Sequence, residues 1–145
     1  MARRPTKRAR KANAFRTAQD LIEAAKRKIT LVSCEETARL LDSVENVPVL
    51  IDVREEFEYD MVRLGGSVHI CRGVLEMVVE HEYPDRNTPM LIYCSRGDRS
   101  ALAALTLRTL GYRHVRSIEG GLHRWQEKGL PVVVPNQQRG PGSGI

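Results

Sequence analysis

Short apolar runs alternate along the chain with stretches in which apolar residues recur at helical spacing. The two most apolar runs, Pro48–Val53 and Pro89–Tyr93, are typical of strands that are covered on both faces of a sheet. Three further strands are predicted at Ile29–Val32, Ser67–Ile70 and His114–Ile118. The pattern therefore predicts five short strands, two of them fully buried.

Helices are predicted in the segments between these strands. Apolar side chains from Phe15 to Ala25 follow a helical period, which indicates an amphipathic helix. Ser33, with Glu36 three residues later, has the spacing of a capping box and predicts the start of the next helix. Further helices are predicted at Val74–Glu80, at Ser100–Leu110 followed by Gly111, and at Leu122–Lys128 followed by Gly129.

This alternation predicts an α/β fold, with a mostly parallel central sheet flanked by helices on both sides. Ligands bind at the carboxyl ends of the strands in such sheets, and the loop after Tyr93 lies at one of these ends. We divide the chain into a disordered basic tail (1–12), an N-terminal helix and short strand (13–32), the main domain (33–135) and a flexible Gly-rich tail (136–145).

The charge of the chain is concentrated in its first residues. The 145 residues carry a formal net charge of +5, but six Lys and Arg lie within residues 1–12, so the remainder is close to neutral. No aromatic residues interleave with these cations, which argues against a nucleic-acid interface. No apolar run approaches the ~18 residues of a membrane span, and the basic start lacks the apolar segment of a secretory signal. We therefore expect a cytoplasmic protein that is not bound to a membrane.

The three cysteines have neither the even number nor the spacing of a disulfide framework. No cluster of Cys, His and Asp has the spacing of a metal site, so no metal is expected. Cys34 lies in the first turn of a predicted helix without basic neighbours, and we interpret it as a packing residue. Cys71 is either a packed small residue or a second reactive thiol. Cys94 differs from both because of the loop that follows it.

Cys94 opens a loop that joins the second apolar strand directly to a helix. This nucleophile loop consists of Cys94, Ser95, Arg96, Gly97, Asp98, Arg99 and Ser100. Unpaired amides at a helix N-terminus favour an anion, and Gly97 can adopt a positive φ that curls the backbone into a nest of N–H groups. Arg96 and Arg99 add two cations, and Ser100 has the residue type of a helix cap. We expect Cys94 to be largely thiolate at neutral pH and to act as a covalent nucleophile.

Several sequence blocks recur in the order of a known family. Residues 49–59 follow the pattern LIDVRE-x-x-E-Y, and residues 90–101 contain the pattern CxxGxRSA. The closing elements are Gly111-Tyr112, Glu119–Gly121, Trp125 and Gly129–Pro131. In these blocks the chain, from about Ser33 to Val133, resembles the rhodanese superfamily of sulfurtransferases, specifically its single-domain bacterial type.

One segment departs from the pattern of that family. Where the family usually has GHIPGA, residues 62–67 read VRLGGS, and Cys71 stands where a proline is common. The segment lies outside the nucleophile loop, so the departure concerns the rim of the cleft and leaves the fold assignment unchanged.

The resemblance implies a rhodanese-like three-layer sandwich that needs no cofactor and transfers sulfur in a ping-pong cycle. Cys94 would take the sulfane sulfur of a small anionic donor as a persulfide and pass it to cyanide, a thiol or a protein. Arg99 would be the main cation for the donor, Arg96 would assist it, and Ser100 would hydrogen-bond the persulfide. Asp52 and Arg54 would brace the loop. The donor-binding residues implied are Ser95, Arg96, Gly97, Asp98, Arg99 and Ser100.

Asp98 introduces a carboxylate into this otherwise cationic loop. If the carboxylate faces a bound dianion such as thiosulfate, it weakens that binding, whereas it has little effect if it faces solvent or pairs with Arg99. The sequence leaves these arrangements open.

Two alternatives to sulfur transfer share the fold. Cysteine phosphatases and arsenate reductases place an arginine six positions after the cysteine, whereas here Arg99 is the fifth residue after Cys94 and Ser100 is the sixth. The shorter loop favours a persulfide sulfur over a phosphate. The other alternative is a rhodanese-like regulatory or sulfur-relay module, in which Cys94 would act on a protein partner.

Overall fold

The computed structural model describes residues 17–135, in which five strands form a single sheet. The predicted tails 1–12 and 136–145 lie outside the described residues. The strands stand in the spatial order β1-β5-β4-β2-β3, and every pair of neighbours is parallel, which confirms the α/β fold. Their bounds are β1 Thr30–Val32, β2 Val49–Asp52, β3 Val68–His69, β4 Met90–Tyr93 and β5 Val115–Ile118.

In this described part of the chain, six α-helices connect and cover the strands. They are α1 Ala18–Lys28, α2 Cys34–Asp42, α3 Glu56–Met61, α4 Leu75–Glu82, α5 Asp98–Thr109 and α6 Gly121–Glu127, and a 3₁₀ turn, Arg72–Val74, precedes α4. Within residues 17–135 no helix is both long and apolar enough to cross a bilayer.

Helix α3 was not predicted, because its apolar residues form no buried stripe. Phe57 and Met61 are about two-thirds exposed, so no periodic pattern marks the segment. The helix is held at its start instead, where the Glu55 amide donates to the Glu58 carboxylate at 2.9 Å. That contact closes the first turn and satisfies an amide that the helix itself leaves unpaired.

The buried strand β4 divides the core into two layers. Met90 and Ile92 face one hydrophobic cluster, together with residues of α4 and α5, and Leu91 and Tyr93 face the other, together with residues of α2 and α6. Successive side chains of a strand point to opposite faces, so a strand with all four side chains buried requires helices on both sides. The arrangement confirms the three-layer sandwich and directs Cys94, next in the alternation, toward the α5 layer.

The helix ends agree with the predicted signals in all but two places. Ser33 accepts the Glu36 amide at 3.1 Å, and Gly111 and Gly129 follow α5 and α6 with φ of 93° and 69°. The predicted capping box is only half formed. The Glu36 carboxylate, which would accept the Ser33 amide in a full capping box, binds the Arg39 guanidinium instead. The predicted start of α5 was also wrong: the helix begins at Asp98, with Gly97 as its N-cap, so Ser100 lies inside its first turn.

Candidate active site

The Cys94 sulfur lies at the carboxyl end of β4, beneath the first turn of α5. The Gly97 amide donates to Sγ at 3.1 Å and the Ser100 amide donates to it at 3.3 Å. The Ser100 hydroxyl oxygen is 3.4 Å from the same sulfur. Cys94 is 1% exposed, so these groups, and not water, are its polar surroundings. Two backbone N–H groups at a helix N-terminus thus converge on one sulfur atom.

Position 97 requires a glycine, because of both its backbone conformation and the atoms around it. Its φ of 96° belongs to the left-handed region, where a side chain is strained. A Cβ atom at this position would lie 3.2 Å from the Gly120 nitrogen, which is closer than most real contacts. The turn therefore brings the Gly97 amide onto the sulfur only because the residue has no side chain.

The carbonyl groups of the nucleophile loop are held from the opposite layer by α6. The Leu122 amide donates to the Cys94 carbonyl and the His123 amide to the Ser95 carbonyl, both at 2.9 Å. A Cβ atom on Gly121 would lie 2.5 Å from the Cys94 oxygen. In the sequence, Gly120 and Gly121 were identified only as part of the closing element Glu119–Gly121. The structure shows that the turn also fixes the loop.

A buried serine on the neighbouring strand completes a chain of polar groups behind the sulfur. The hydroxyls of Ser100 and Ser117 are 2.8 Å apart, and neither residue is exposed. Ser117 lies on β5, next to β4 in the sheet. Ser117 is not among the site residues predicted from the sequence, where it stands beside Arg116 in the strand and no local signal distinguishes it.

The charged residues of the nucleophile loop bind partners from outside it. The Arg99 guanidinium donates to both Glu58 carboxylate oxygens, at 2.8 and 3.0 Å. These bonds lower the pKa of Glu58 to about 2 and raise the pKa of Arg99. Asp98 accepts from Lys26 of α1 at 2.9 Å, an arrangement not among those left open by the sequence. Arg96 is exposed and has no ion-pair partner within residues 17–135.

Asp52 and Arg54 form a buried ion pair that is connected to the nucleophile loop by a backbone hydrogen bond between neighbouring strands. The Asp52 carboxylate accepts the Arg54 amide at 2.9 Å and the guanidinium Nη2 at 2.8 Å. Burial lowers the pKa of Arg54, but the hydrogen bonds to Asp52, together with the charge of Asp52 and smaller contributions from Tyr93 and Glu58, more than offset this and raise it. The guanidinium lies over the Tyr93 ring, 5.8 Å from its centroid, on the face opposite Cys94. The link to the loop is the Val53 amide, which donates to the Tyr93 carbonyl at 3.1 Å.

The other two cysteines do not join the site. Cys34 is buried, its Sγ lies 3.7 Å from the Glu119 carbonyl oxygen, and burial raises its pKa. Cys71 is half-buried just before the 3₁₀ turn. Among the described residues, no hydrogen bond connects the Cys71 and Cys94 side chains.

A charged cavity of about 350 Å³ opens beside the loop. Its lining carries two cations and two anions, so it has no net charge, and it consists of Glu55, Arg72, Gly73, Glu76, Arg99 and Thr106. A second cavity, of about 410 Å³, is mostly apolar, lies against α2 and Trp125, and contains no residue of the nucleophile loop.

Comparison with known proteins supports the resemblance. Residues 33–128 match the model of the rhodanese-like domain family. The chain is 32% identical over 105 residues to the tRNA uridine(34) hydroxylase of Erwinia tasmaniensis, covering 67% of this chain and 29% of that protein. It is 33% identical over 97 residues to the putative sulfur carrier protein YrkF of Bacillus subtilis, covering 67% and 51%. It is 28% identical over 104 residues to a sulfurtransferase of Allochromatium vinosum, covering 72% and 94%.

The chain thus spans about half or less of the first two of these relatives and nearly all of the third. Among solved structures, the homodimeric polysulfide-sulfur transferase of Wolinella succinogenes is 30% identical, with a TM-score of 0.68 and coverage of 79% and 85%. A protein of unknown function from Rhodopseudomonas palustris, named a possible tyrosine phosphatase, is 27% identical, with a TM-score of 0.71 and coverage of 83% and 97%.

Proposed function

The chain belongs to the rhodanese-like domain family, and we propose that it is a sulfurtransferase in which Cys94 carries sulfane sulfur as a persulfide. The observation that carries the proposal is the convergence of the Gly97 and Ser100 amides on one buried sulfur, at 3.1 and 3.3 Å. Backbone donors aimed at a sulfur atom stabilise the thiolate that attacks and the thiolate that is later released. They do so without a metal or an organic cofactor.

In the first half-reaction the Cys94 thiolate attacks the outer sulfur of a donor such as thiosulfate. A new S–S bond forms between Sγ and that sulfur, and the bond to the sulfonate group breaks. Sulfite leaves with the electron pair, so no external oxidant or reductant is needed. The two loop amides donate to the sulfur that attacks, and the enzyme is left as the Cys94 persulfide.

In the second half-reaction an acceptor attacks the outer sulfur of the persulfide. With cyanide a C–S bond forms, the S–S bond breaks, and its electron pair returns to Sγ as thiolate. A thiol or a protein acceptor follows the same course and becomes a persulfide itself. The names of the YrkF and Wolinella relatives, a sulfur carrier and a polysulfide-sulfur transferase, support such acceptors. A reactive free thiol is kept reduced in the cytoplasm, where we place the protein.

We assign the two arginines of the loop different roles from those implied by the family resemblance. Arg99 is held by Glu58 at two points, so it orients the start of α5. Arg96 is exposed and without an ion-pair partner in the described part of the chain, so it attracts the anionic donor. Asp52 and Arg54 support β4 from the opposite layer and take no part in the reaction.

Intact mass spectrometry after incubation with thiosulfate tests the proposal. Wild-type protein is expected to gain one sulfur atom, and later addition of cyanide is expected to remove it. Cys94→Ser is expected to gain none, whereas Cys71→Ser, the matched control, retains the gain. Sulfur loading that depends on Cys71 instead of Cys94 would overturn the assignment.

A second candidate function is hydrolysis of a phosphate ester, because a structure with a TM-score of 0.71 is named a possible tyrosine phosphatase. Two features of the loop argue against it. Arg99 is the fifth residue after Cys94 and is already bound to Glu58, and two loop amides point at Sγ itself. Hydrolysis of an aryl phosphate by wild type but not by Cys94→Ser, without any sulfur adduct, would replace sulfur transfer as the conclusion.

A further inference from the structure

The N-terminal helix α1 precedes residues 33–128, the part of the chain that matches the family, and it lies against α5. Ala24 and Ala25 are buried, and the Arg108 guanidinium of α5 donates to the Lys28 carbonyl of α1. Toward the start of α5, the Lys26 ammonium donates to the Asp98 carboxylate at 2.9 Å. An element outside the family match therefore reaches a residue of the nucleophile loop.

Asp98 occupies a position where its charge affects any anion that approaches the sulfur. It is the first residue of α5 and follows Gly97, whose amide donates to Sγ. The carboxylate thus lies at the amide end of the helix, where the dipole is positive. Without a counter-charge, that carboxylate would repel an anionic donor over distances shorter than the Debye length of about 8 Å.

The nucleophile loop and its two ion-pair partners, Glu58 and Lys26, together carry one cation in excess. Arg99 is neutralised by Glu58 and Asp98 by Lys26, so Arg96 supplies a net single positive charge. Removal of the Lys26 charge would reduce that excess to zero while leaving every group that contacts Sγ in place. Removal of the Asp98 charge would raise it.

We propose that Lys26 is a specificity-determining residue that neutralises Asp98 and thereby makes Cys94 accessible to anionic sulfur donors. It is a positioning residue, because it acts through Asp98 and does not contact the sulfur. This inference rests on the proposed sulfurtransferase function, but the charge effect itself can be measured without any sulfur transfer.

The first experiment compares two alkylating reagents of similar size that differ in charge. Iodoacetate is an anion and iodoacetamide is neutral, so the ratio of their rates at Cys94, followed by peptide mass spectrometry, cancels changes in thiol ionisation and accessibility. We expect Lys26→Met to lower this ratio about threefold, the size of a half-exposed ion pair. Asp98→Asn is expected to raise it, and Lys26→Met is expected to change it little in the Asp98→Asn background, because Lys26 acts through Asp98.

Arg27→Met is the matched control. Arg27 is exposed on the same helix and forms no ion pair within residues 17–135, so its loss removes the same charge from a position that does not face the loop. Its ratio is expected to stay at the wild-type value. An equal decrease for Arg27→Met and Lys26→Met, or a decrease in Lys26→Met that persists in the Asp98→Asn background, would overturn the proposal.

Steady-state kinetics with thiosulfate give the corresponding result for the reaction. Lys26→Met is expected to raise KM about threefold with kcat unchanged, and the difference is expected to shrink at high ionic strength. If Lys26 served only to hold α1 against α5, Lys26→Met would instead lower Tm and would change kcat at every salt concentration. If the alkylation ratios behave as expected but wild-type protein takes no sulfur from thiosulfate, the proposed function has failed and the role of Lys26 has not.

Discussion

Arg99 and Glu58 are joined by two parallel hydrogen bonds, of 2.8 and 3.0 Å, that connect the nucleophile loop to the short helix α3. The side chains are 34% and 21% exposed, so the pair is only partly screened by solvent. Two-point contacts between a guanidinium and a carboxylate fix orientation as well as distance. The pair therefore fastens the exposed helix α3 to the nucleophile loop. It also holds the Arg99 guanidinium against Glu58, which is why we do not assign Arg99 to donor binding.

The depressed pKa of Glu58 predicts a loss of stability in acid. Its folded-state pKa of about 2 lies below the unfolded value of about 4.3, so the stabilisation is complete above pH 4.3 and disappears as the pH falls toward 2. Discounted for partial exposure, it amounts to about 1 kcal/mol. Glu58→Gln is expected to lower Tm at pH 7 and to flatten its decline between pH 5 and pH 3. Glu56→Gln, at an exposed acid on the same helix, should keep the wild-type profile, and identical profiles for all three proteins would contradict the prediction.

Separate substitutions of Arg96 and Arg99 should have different kinetic consequences. Arg96→Ala removes an exposed cation without an ion-pair partner in the described residues, so we expect a KM for thiosulfate several-fold higher, with kcat and Tm close to wild type. Arg99→Lys cannot keep both bonds to Glu58, so we expect Tm and kcat to fall together. Steady-state kinetics and thermal melts of the two variants test the assignment. The reverse pattern would make Arg99 the donor-binding residue.

The serine pair behind the sulfur should show strong coupling. Ser100→Ala or Ser117→Ala leaves the other buried hydroxyl without its 2.8 Å partner, at a cost of about 1–3 kcal/mol. The double variant removes both hydroxyls, so its loss of stability should be well below the sum of the single losses. Denaturant melts of the four proteins give the free energies of unfolding. Strict additivity would mean that the two hydroxyls do not interact.

Gly121 should tolerate a methyl group far less than Gly129. Both have a positive φ, of 58° and 69°, and Gly→Ala strains each by about 1–2 kcal/mol. At Gly121 the new Cβ would also lie 2.5 Å from the Cys94 oxygen, whereas nothing lies within 4 Å at Gly129. We expect Gly121→Ala to lower Tm further and to slow sulfur loading of Cys94, measured by intact mass. Equal behaviour of the two variants would show that the α6 turn does not hold the loop.

Local signals in the sequence were sufficient for most of the architecture. The apolar runs around Leu50 and Leu91 identified the two buried strands, because a strand covered on both faces is mostly apolar. Gly111 and Gly129 marked helix ends, because a left-handed residue there favours glycine. Cys94 could be identified as the candidate nucleophile from a local signal as well. A cysteine three residues before a glycine, between a strand and a helix, is typical of an anion-binding turn.

Local signals were insufficient where a short element depends on a distant contact. Helix α3 buries no apolar stripe and is held in place by the contact of Glu58 with Arg99. Helix α5 starts two residues before the predicted position, because Gly97, not Ser100, makes the turn. The residue type of Ser100 indicated a cap, but its hydroxyl lies beside Sγ and Ser117 instead.

The sequence by itself determined the fold class and singled out Cys94 as the candidate nucleophile, and the tertiary structure decided the charges that surround it. Lys26 is 72 positions from Asp98, Glu58 is 41 from Arg99, and Ser117 is 17 from Ser100. Periodicity and spacing report which face of an element is buried. They carry no information on which long charged side chain of one helix reaches the first turn of another, because that depends on how the layers pack. The candidate nucleophile is thus marked by a local pattern of seven residues, whereas the anion preference that we propose for it depends on the assembled fold.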